Sequence, residues 1–470
     1  MIFPIIAVAV SLEAASNTDA AGDMQSASRL VQAETPVADP STIGPQASPD
    51  AGGRTPLVLD QPTAAAAPKA SDFDQTISGR WGGLRTRLLD AGINTRGDFV
   101  AEPFASVRGG QARGTSYAQQ LRLGADFDMH KIAGWSGGIF HLTLNDRKGG
   151  NISTDLVGNR LPIQESAGGD FTRLSELSFE DDLFNHRMTV KVGFYSMGND
   201  LGGMSILCSF VNAAFCAHPL SESGNSGWTN YPNSRWGAEI KYRINGEVIV
   251  RTGVYQVNQS YNEPKYGFDL FAPGTSGAIF PLELEYDPNN QPGSKGLRGQ
   301  YKFGVFYDTV TVNRQGVPGT VGGRYGLYLL ANQMIYREAG SGMRGLTVFG
   351  EFTANPRASA QITRWYGAGL LYRGALRNRP DDVISFGVVT ARVNPQLLEA
   401  HEKPVNPSES NFMSASLAGG ETAIEISYGL SLKRGISLRP DFQYIINPGA
   451  FSFQRNENNV SLGMQIKMQL

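Results

Sequence analysis

The last eleven residues, VSLGMQIKMQL (Val460–Leu470), alternate without a break. Val460, Leu462, Met464, Ile466, Met468 and Leu470 fall on one face of an extended chain; Ser461, Gly463, Gln465, Lys467 and Gln469 fall on the other. Successive side chains of a strand point to opposite faces, so this is a strand with one apolar and one polar side. Eleven residues is also the length that a tilted strand needs to cross a bilayer core.

The pattern recurs upstream. Leu121, Leu123, Ala125, Phe127 and Met129 alternate with Gln120, Arg122, Gly124, Asp126 and Asp128. Phe140, Leu142 and Leu144 alternate with His141, Thr143, Asn145 and Arg147, and Ile424–Leu432 and Ile436–Tyr444 behave alike. Val248–Gln256 and Ala368–Tyr372 are less clean. Counting such segments predicts about sixteen strands, starting near residues 93, 117, 138, 171, 187, 234, 247, 278, 297, 325, 344, 361, 381, 421, 436 and 458.

Connection lengths give an independent test. Those after even-numbered strands are short, as at Asn245-Gly246, Lys433-Arg434-Gly435 and 378–381. Those after odd-numbered strands are mostly long, notably 147–170, 197–233, 259–277 and 393–420. Short turns at one end and long loops at the other mark an outer-membrane barrel with both termini on the periplasmic side. In hydrocarbon an unpaired backbone group costs several kcal/mol, so the sheet must close. The expected fold is all-β: a 16-stranded antiparallel transmembrane β-barrel with a short N-terminal helix. A large soluble sandwich or barrel is the competing reading, but it does not predict the loop rhythm.

Composition agrees. The 470 residues include 56 Gly, 24 Phe and 17 Tyr, which suits many strands joined by turns. Charged residues are only 18 % and the net charge is −2, so no basic face draws the chain to nucleic acid. Two Cys and five scattered His support neither a zinc ribbon nor a shared metal site, and no cofactor motif stands out. The GxGxxG match at 340–345 sits in a strand-to-strand turn with no helix after it. HExxH, CxxC and GxSxG are absent.

The N-terminal segment reads differently. IFPIIAVAV (residues 2–10) followed by small residues resembles a secretory signal, taken as 1–20, although no Lys or Arg precedes it. Residues 21–75 are rich in Ala, Pro, Ser and Asp and read as a flexible linker. Residues 76–470 form the barrel domain. Within it, Ser78 can cap a helix to Asp90, with Gly82 and Gly83 weakening it.

SGRWGGLRTRLLDAGI directly before the first strand, then FHLTLNDRKGGNIS, then GFYSMGND with CSFVNAAFC downstream, resemble the OprB-type carbohydrate-selective porins over about residues 76–470. The chain departs from outer-membrane habit by ending in Leu470 rather than an aromatic residue. The resemblance implies a bacterial outer-membrane channel that passes mono- and oligosaccharides by facilitated diffusion, with a constriction partly made by inward-folded loops. Porins for other small solutes such as organic acids, and a barrel lipase, are the alternatives. Outer-membrane lipid is the expected surround. Sixteen-stranded porins are often homotrimers, but nothing in the sequence marks an interface.

Sugars are neutral, rich in hydroxyls, and have apolar C–H faces. A pore that favours them needs charged groups to replace hydration and rings to stack. Lumen-phase candidates are Glu102, Arg122, Asp126, Arg147, Glu176 and Glu180, with Glu102 and Arg147 favoured because their blocks match the family. The long segment 197–233 is mostly apolar and is expected to fold into the barrel mouth. Its Cys208 and Cys216 are expected to form a disulfide after export, with two buried thiols as the alternative. Trp228 and Trp236 are candidate stacking rings; Trp236 equally suits an interface girdle.

Overall fold

The computed structural model describes residues 68–216, 218–291, 294–338, 344–402 and 417–470. The signal and most of the linker expected at 1–75, and most of the GxGxxG match, lie outside the described residues. Sixteen antiparallel strands close into one barrel. In chain order they are β1 Ile93–Gly110, β2 Gly114–Asp128, β3 Gly138–Gly149, β4 Phe171–Leu183, β5 Met188–Tyr195, β6 Arg235–Arg243, β7 Val248–Asn258 and β8 Thr275–Tyr286. Then follow β9 Gly299–Asn313, β10 Thr320–Arg337, β11 Gly345–Ala354, β12 Ile362–Arg373, β13 Val383–Val393, β14 Gly420–Ser431, β15 Ile436–Ile446 and β16 Glu457–Gln469. Each strand pairs with its sequence neighbours, and β1 closes on β16 through pairs such as Phe99 with Met468 and Ala105 with Leu462. No helix among the described residues is long and apolar enough to cross a membrane.

Alternation survives intact on the outer wall. Leu123, Leu144, Val192, Ile240, Leu282, Phe303, Leu329, Tyr366, Phe386, Ile426 and Leu462 are exposed large apolar side chains. A water-facing surface would not carry such a continuous belt, whereas lipid tails accept it. Long connections run 150–170, 196–234, 259–274 and 394–419, all at one end. Of the other four at that end, 111–113, 314–319 and 355–361 are short and 447–456 is intermediate.

The helix is shorter than expected. It spans α1 Leu84–Asp90, because Gly82 and Gly83 take positive φ (63° and 91°) and break the turn ahead of it. The Arg85 guanidinium lies 4.0 Å from the Phe73 ring centre and donates to Thr95, fastening α1 to the barrel rim.

Candidate functional site in the barrel lumen

Two connections turn inward and fill much of the barrel. The β5–β6 loop (196–234) carries Met197, Leu201, Leu207, Phe210, Phe215 and Trp228 into one buried cluster. Their partners are lumen-facing residues of the wall: Phe306, Tyr328, Leu330, Phe349, Trp365 and Val389. The inner face of β9–β13 therefore carries an apolar patch, set among buried polar groups such as Asp308 and Glu351, that the loop already occupies. A Cys208–Cys216 disulfide closes the loop's tip, as expected. The Phe210 and Phe215 rings stack at 4.4 Å beside it and both meet Phe349.

Inward-pointing wall carboxylates hold these loops by their backbone amides. Glu425 accepts from Val211 and Asn212 at 2.7 and 2.8 Å. Glu421 accepts from Arg160 and Leu161 in the β3–β4 loop at 2.9 and 2.7 Å. Glu283 takes the amide of Gly202 and Asp308 that of Gly227. Such charge-assisted bonds are strong where water is excluded.

Four expected solute contacts have other tasks. Glu102 is fully buried: Oε2 accepts from Ser166 N at 2.8 Å and Oε1 from Gln465 at 2.6 Å, so the carboxylate is a clip for the β3–β4 loop. Arg147 is 1 % exposed and donates to Gln120 and to the Ala167 carbonyl, holding the same loop. Trp228 is buried, edge-on to Phe306 and Tyr328. Trp236 lies on the outer wall, stacked on Phe271 and donating to the Leu270 carbonyl at 2.6 Å. Its position is fixed by parity: Glu239, three residues on, is buried in the lumen, while Ile240 and Tyr242 share its outward phase.

The remaining expected residues converge on the opposite wall, β1 to β5. His141 contacts Asp126 at 2.8 Å; Asp126 pairs with Arg96 at 3.0 Å; Arg96 reaches Glu176 at 3.5 Å. Glu176 pairs with Lys191 at 3.2 Å, and Lys191 with Asp200 at 3.1 Å. Beside this chain Arg122 pairs with Asp98 at 2.6 Å, its guanidinium 5.3 Å from the Tyr231 ring centre. The side chains from His141 to Asp200 keep partial exposure, up to 31 % at Asp200 and 23 % at Asp126, whereas Arg122, Asp98 and Tyr231 are buried. The signs alternate along one wall rather than facing each other across the lumen.

Arg96, Lys191, Asp200 and Tyr231 were not among the sequence candidates. Lys191 was legible, since it alternates with Val190 and Val192. Asp200 and Tyr231 come from the β5–β6 loop, where no period assigns a face. At β4 a bulge inserts Ser175 between the pairs Thr143–Glu176 and Leu144–Leu174. It turns Arg173 and Glu176, three apart, to the same side. Arg173 is buried there and donates to Asn233 and the Tyr261 carbonyl. Among the described residues no cluster of three or more His, Cys, Asp or Glu is arranged to hold a metal.

Residues 112–470 match the family model for carbohydrate-selective porins, OprB family. Porin B of Pseudomonas aeruginosa is 30 % identical over 412 residues, covering 82 % of this chain and 90 % of that protein. The high-pH structure of Pseudomonas putida OprB superimposes with a TM-score of 0.78 at 29 % identity, over 84 % of this chain and 99 % of that one. The low-pH structure of the same protein gives 0.56 at 25 % identity, over 84 % and 98 %.

Proposed function

The chain belongs to the OprB family of carbohydrate-selective porins, and on that premise we propose that mono- and oligosaccharides cross it along the charged wall from His141 to Asp200. It is a channel of the bacterial outer membrane, and transport runs down the solute's own gradient with no reaction catalysed. The observation that carries the route is the unbroken ladder His141–Asp126–Arg96–Glu176–Lys191–Asp200, whose side chains stay 11–31 % exposed where β1–β5 meet the β5–β6 loop.

Each rung already has a partner, so the ladder does not hold an isolated charge waiting for an ion. A sugar's adjacent hydroxyls can insert into a pair, accepting from Arg96 or Lys191 and donating to Asp126, Glu176 or Asp200. Each such exchange replaces a bond the sugar made to water, at the expense of part of an ion pair. The two effects nearly offset, which keeps binding weak and release fast, as conduction requires. Beside the ladder the buried Arg122–Asp98 pair, with Arg122 over the Tyr231 ring, braces the wall rather than meeting solute.

Sugar titration of the purified barrel in planar bilayers tests the reading. Glucose and maltose-series oligosaccharides are expected to block ion current in a saturable way, and an Arg96→Gln variant to weaken that block. Sugar that leaves the current unchanged in the unaltered protein would remove the carbohydrate route. Unaltered block in Arg96→Gln would remove only the ladder.

A further inference from the structure

Strand pairing sets Arg364 of β12 directly opposite Arg392 of β13. Both side chains are exposed, and both face outward, since their neighbours Trp365 and Ala391 are fully buried on the lumen side. Like charges directly opposite on a sheet repel. Among the described residues neither guanidinium has a carboxylate within ion-pair distance. Arg364 donates only to the Thr363 and Asn355 carbonyls. A third exposed arginine, Arg357, lies in the β11–β12 loop, whose carbonyl at that residue accepts from Asn394 Nδ2 at 2.7 Å, just beyond β13. Two cations thus stand side by side at one corner of the outer wall, with the Arg357 backbone near the end of β13.

Their height on the barrel gives the crowding a meaning. This is the end with the long loops, hence the outward-facing leaflet. Directly below Arg364 on the same face come Tyr366, Ala368, Leu370 and Tyr372; below Arg392 come Thr390, Val388, Phe386 and Ile384. The arginines therefore sit where the apolar belt stops. Further down, Ala331 pairs with Gly350 and Gly350 with Ala368, so small residues form a trough across β10–β12. Leu329, Phe303 and Phe352 wall a groove of about 520 Å³ there. Among the described residues no carboxylate offsets the repulsion between the two guanidinium groups, and an anion set between them would relieve it.

We propose that Arg364 and Arg392 dock the phosphate of an outer-leaflet glycolipid of the lipid A type, with an acyl chain lying down the wall toward the groove. Planar guanidinium forks suit phosphate oxygens, and two of them side by side can clasp one headgroup. The site lies outside the lumen and does not depend on which solute passes.

Native mass spectrometry of the full chain in detergent tests this, with purified lipid A, phosphatidylcholine and inorganic phosphate as separate probes. Lipid A is expected to bind one-to-one and phosphatidylcholine to bind without preference. In the R364Q/R392Q variant lipid A affinity should fall about tenfold or more, the loss of at least one charge-assisted contact. R364K/R392K should retain an intermediate affinity, and sugar block should be unchanged in both. Heat-modifiable gel migration reports whether each variant folds, and the single R392Q variant, with a smaller loss, serves if the double one does not. Equal lipid A binding by the unaltered protein and a folded glutamine variant would overturn the proposal. So would displacement of lipid A by millimolar inorganic phosphate, which would make this a site for free anions.

Discussion

Glu102 on β1 accepts the backbone amide of Ser166 at 2.8 Å, across 64 residues of sequence. The contact turns a lumen carboxylate into the fastening of a loop. Glu102→Ala should therefore act on the loop before it acts on the solute. Losing buried hydrogen bonds to a charged group costs roughly 1.5–3 kcal/mol each. The expected result is a larger, noisier conductance, with sugar affinity little changed. Single-channel recording with sugar titration separates the two: an unchanged open current with weakened sugar block would return Glu102 to the list of solute contacts.

The disulfide makes a second case. Cys208 and Cys216 close a span of eight residues at the loop tip. In the chain-entropy model such a closure is worth about 2–3 kcal/mol. The tip is also held by Glu425 and by the packing of Phe210 and Phe215 against Phe349. The double variant Cys208→Ser/Cys216→Ser should keep the barrel and the channel. It should lose protection in hydrogen exchange over 205–216 while the strands stay protected. Loss of the folded barrel on heat-modifiability gels would show that the tip is needed for assembly.

How much of this was legible before the fold was known depends on which side of the wall is asked about. The outer face meets one solvent, so its period of two is clean, and strand starts at 93, 138, 171 and 436 coincide with those found. The inner face is polar along β1–β5, partly exposed and partly covered by loops, and meets a packed apolar loop along β9–β13. There Phe306, Tyr328, Phe349 and Trp365 are apolar and inward. Their strands are apolar on both sides and blur the alternation. Asp126, Arg122 and Glu176 are legible because the inward phase of β2 and β4 is polar. Glu102 and Arg147 have the right phase but lie under the β3–β4 loop, and phase alone cannot report what covers a residue.

Two buried groups of the β5–β6 loop set its pH range. Burial pushes the Glu222 carboxyl up from 4.5 to about 8, and the His218 imidazole down from 6.5 to about 3. A raised carboxyl contributes stability fully below 4.5, and that contribution is lost as pH rises through 8. A depressed histidine contributes fully above 6.5, and that contribution is lost as pH falls toward 3. Between 4.5 and 6.5 the two trends oppose and cancel. The loop should therefore be most stable on that plateau and weaken on either side by about 1.4 kcal/mol per pH unit. Hydrogen exchange of peptides from 196–234 across pH measures this. Glu222→Gln should remove the alkaline limb and His218→Phe the acid limb; an alkaline limb that persists in Glu222→Gln would show that other groups set it.

Lys191 gives the sharpest test of the ladder, because it stands between two carboxylates. It is 3.2 Å from Glu176 and 3.1 Å from Asp200, with 11 % of its side chain exposed. Lys191→Met keeps much of the apolar stem but removes the only cation that Asp200 pairs with among the described residues. The wall then carries one more net negative charge beside Asp200, the most exposed rung at 31 %. Low-dielectric surroundings magnify that charge for a passing ion. Cation over anion permeability, read from reversal potentials across a KCl gradient, should rise severalfold and fall back at high salt as screening sets in. Sugar block should weaken in the same variant, because a donor is lost where a hydroxyl would insert. A selectivity change with intact sugar block would mean that ions follow this wall and sugars follow another.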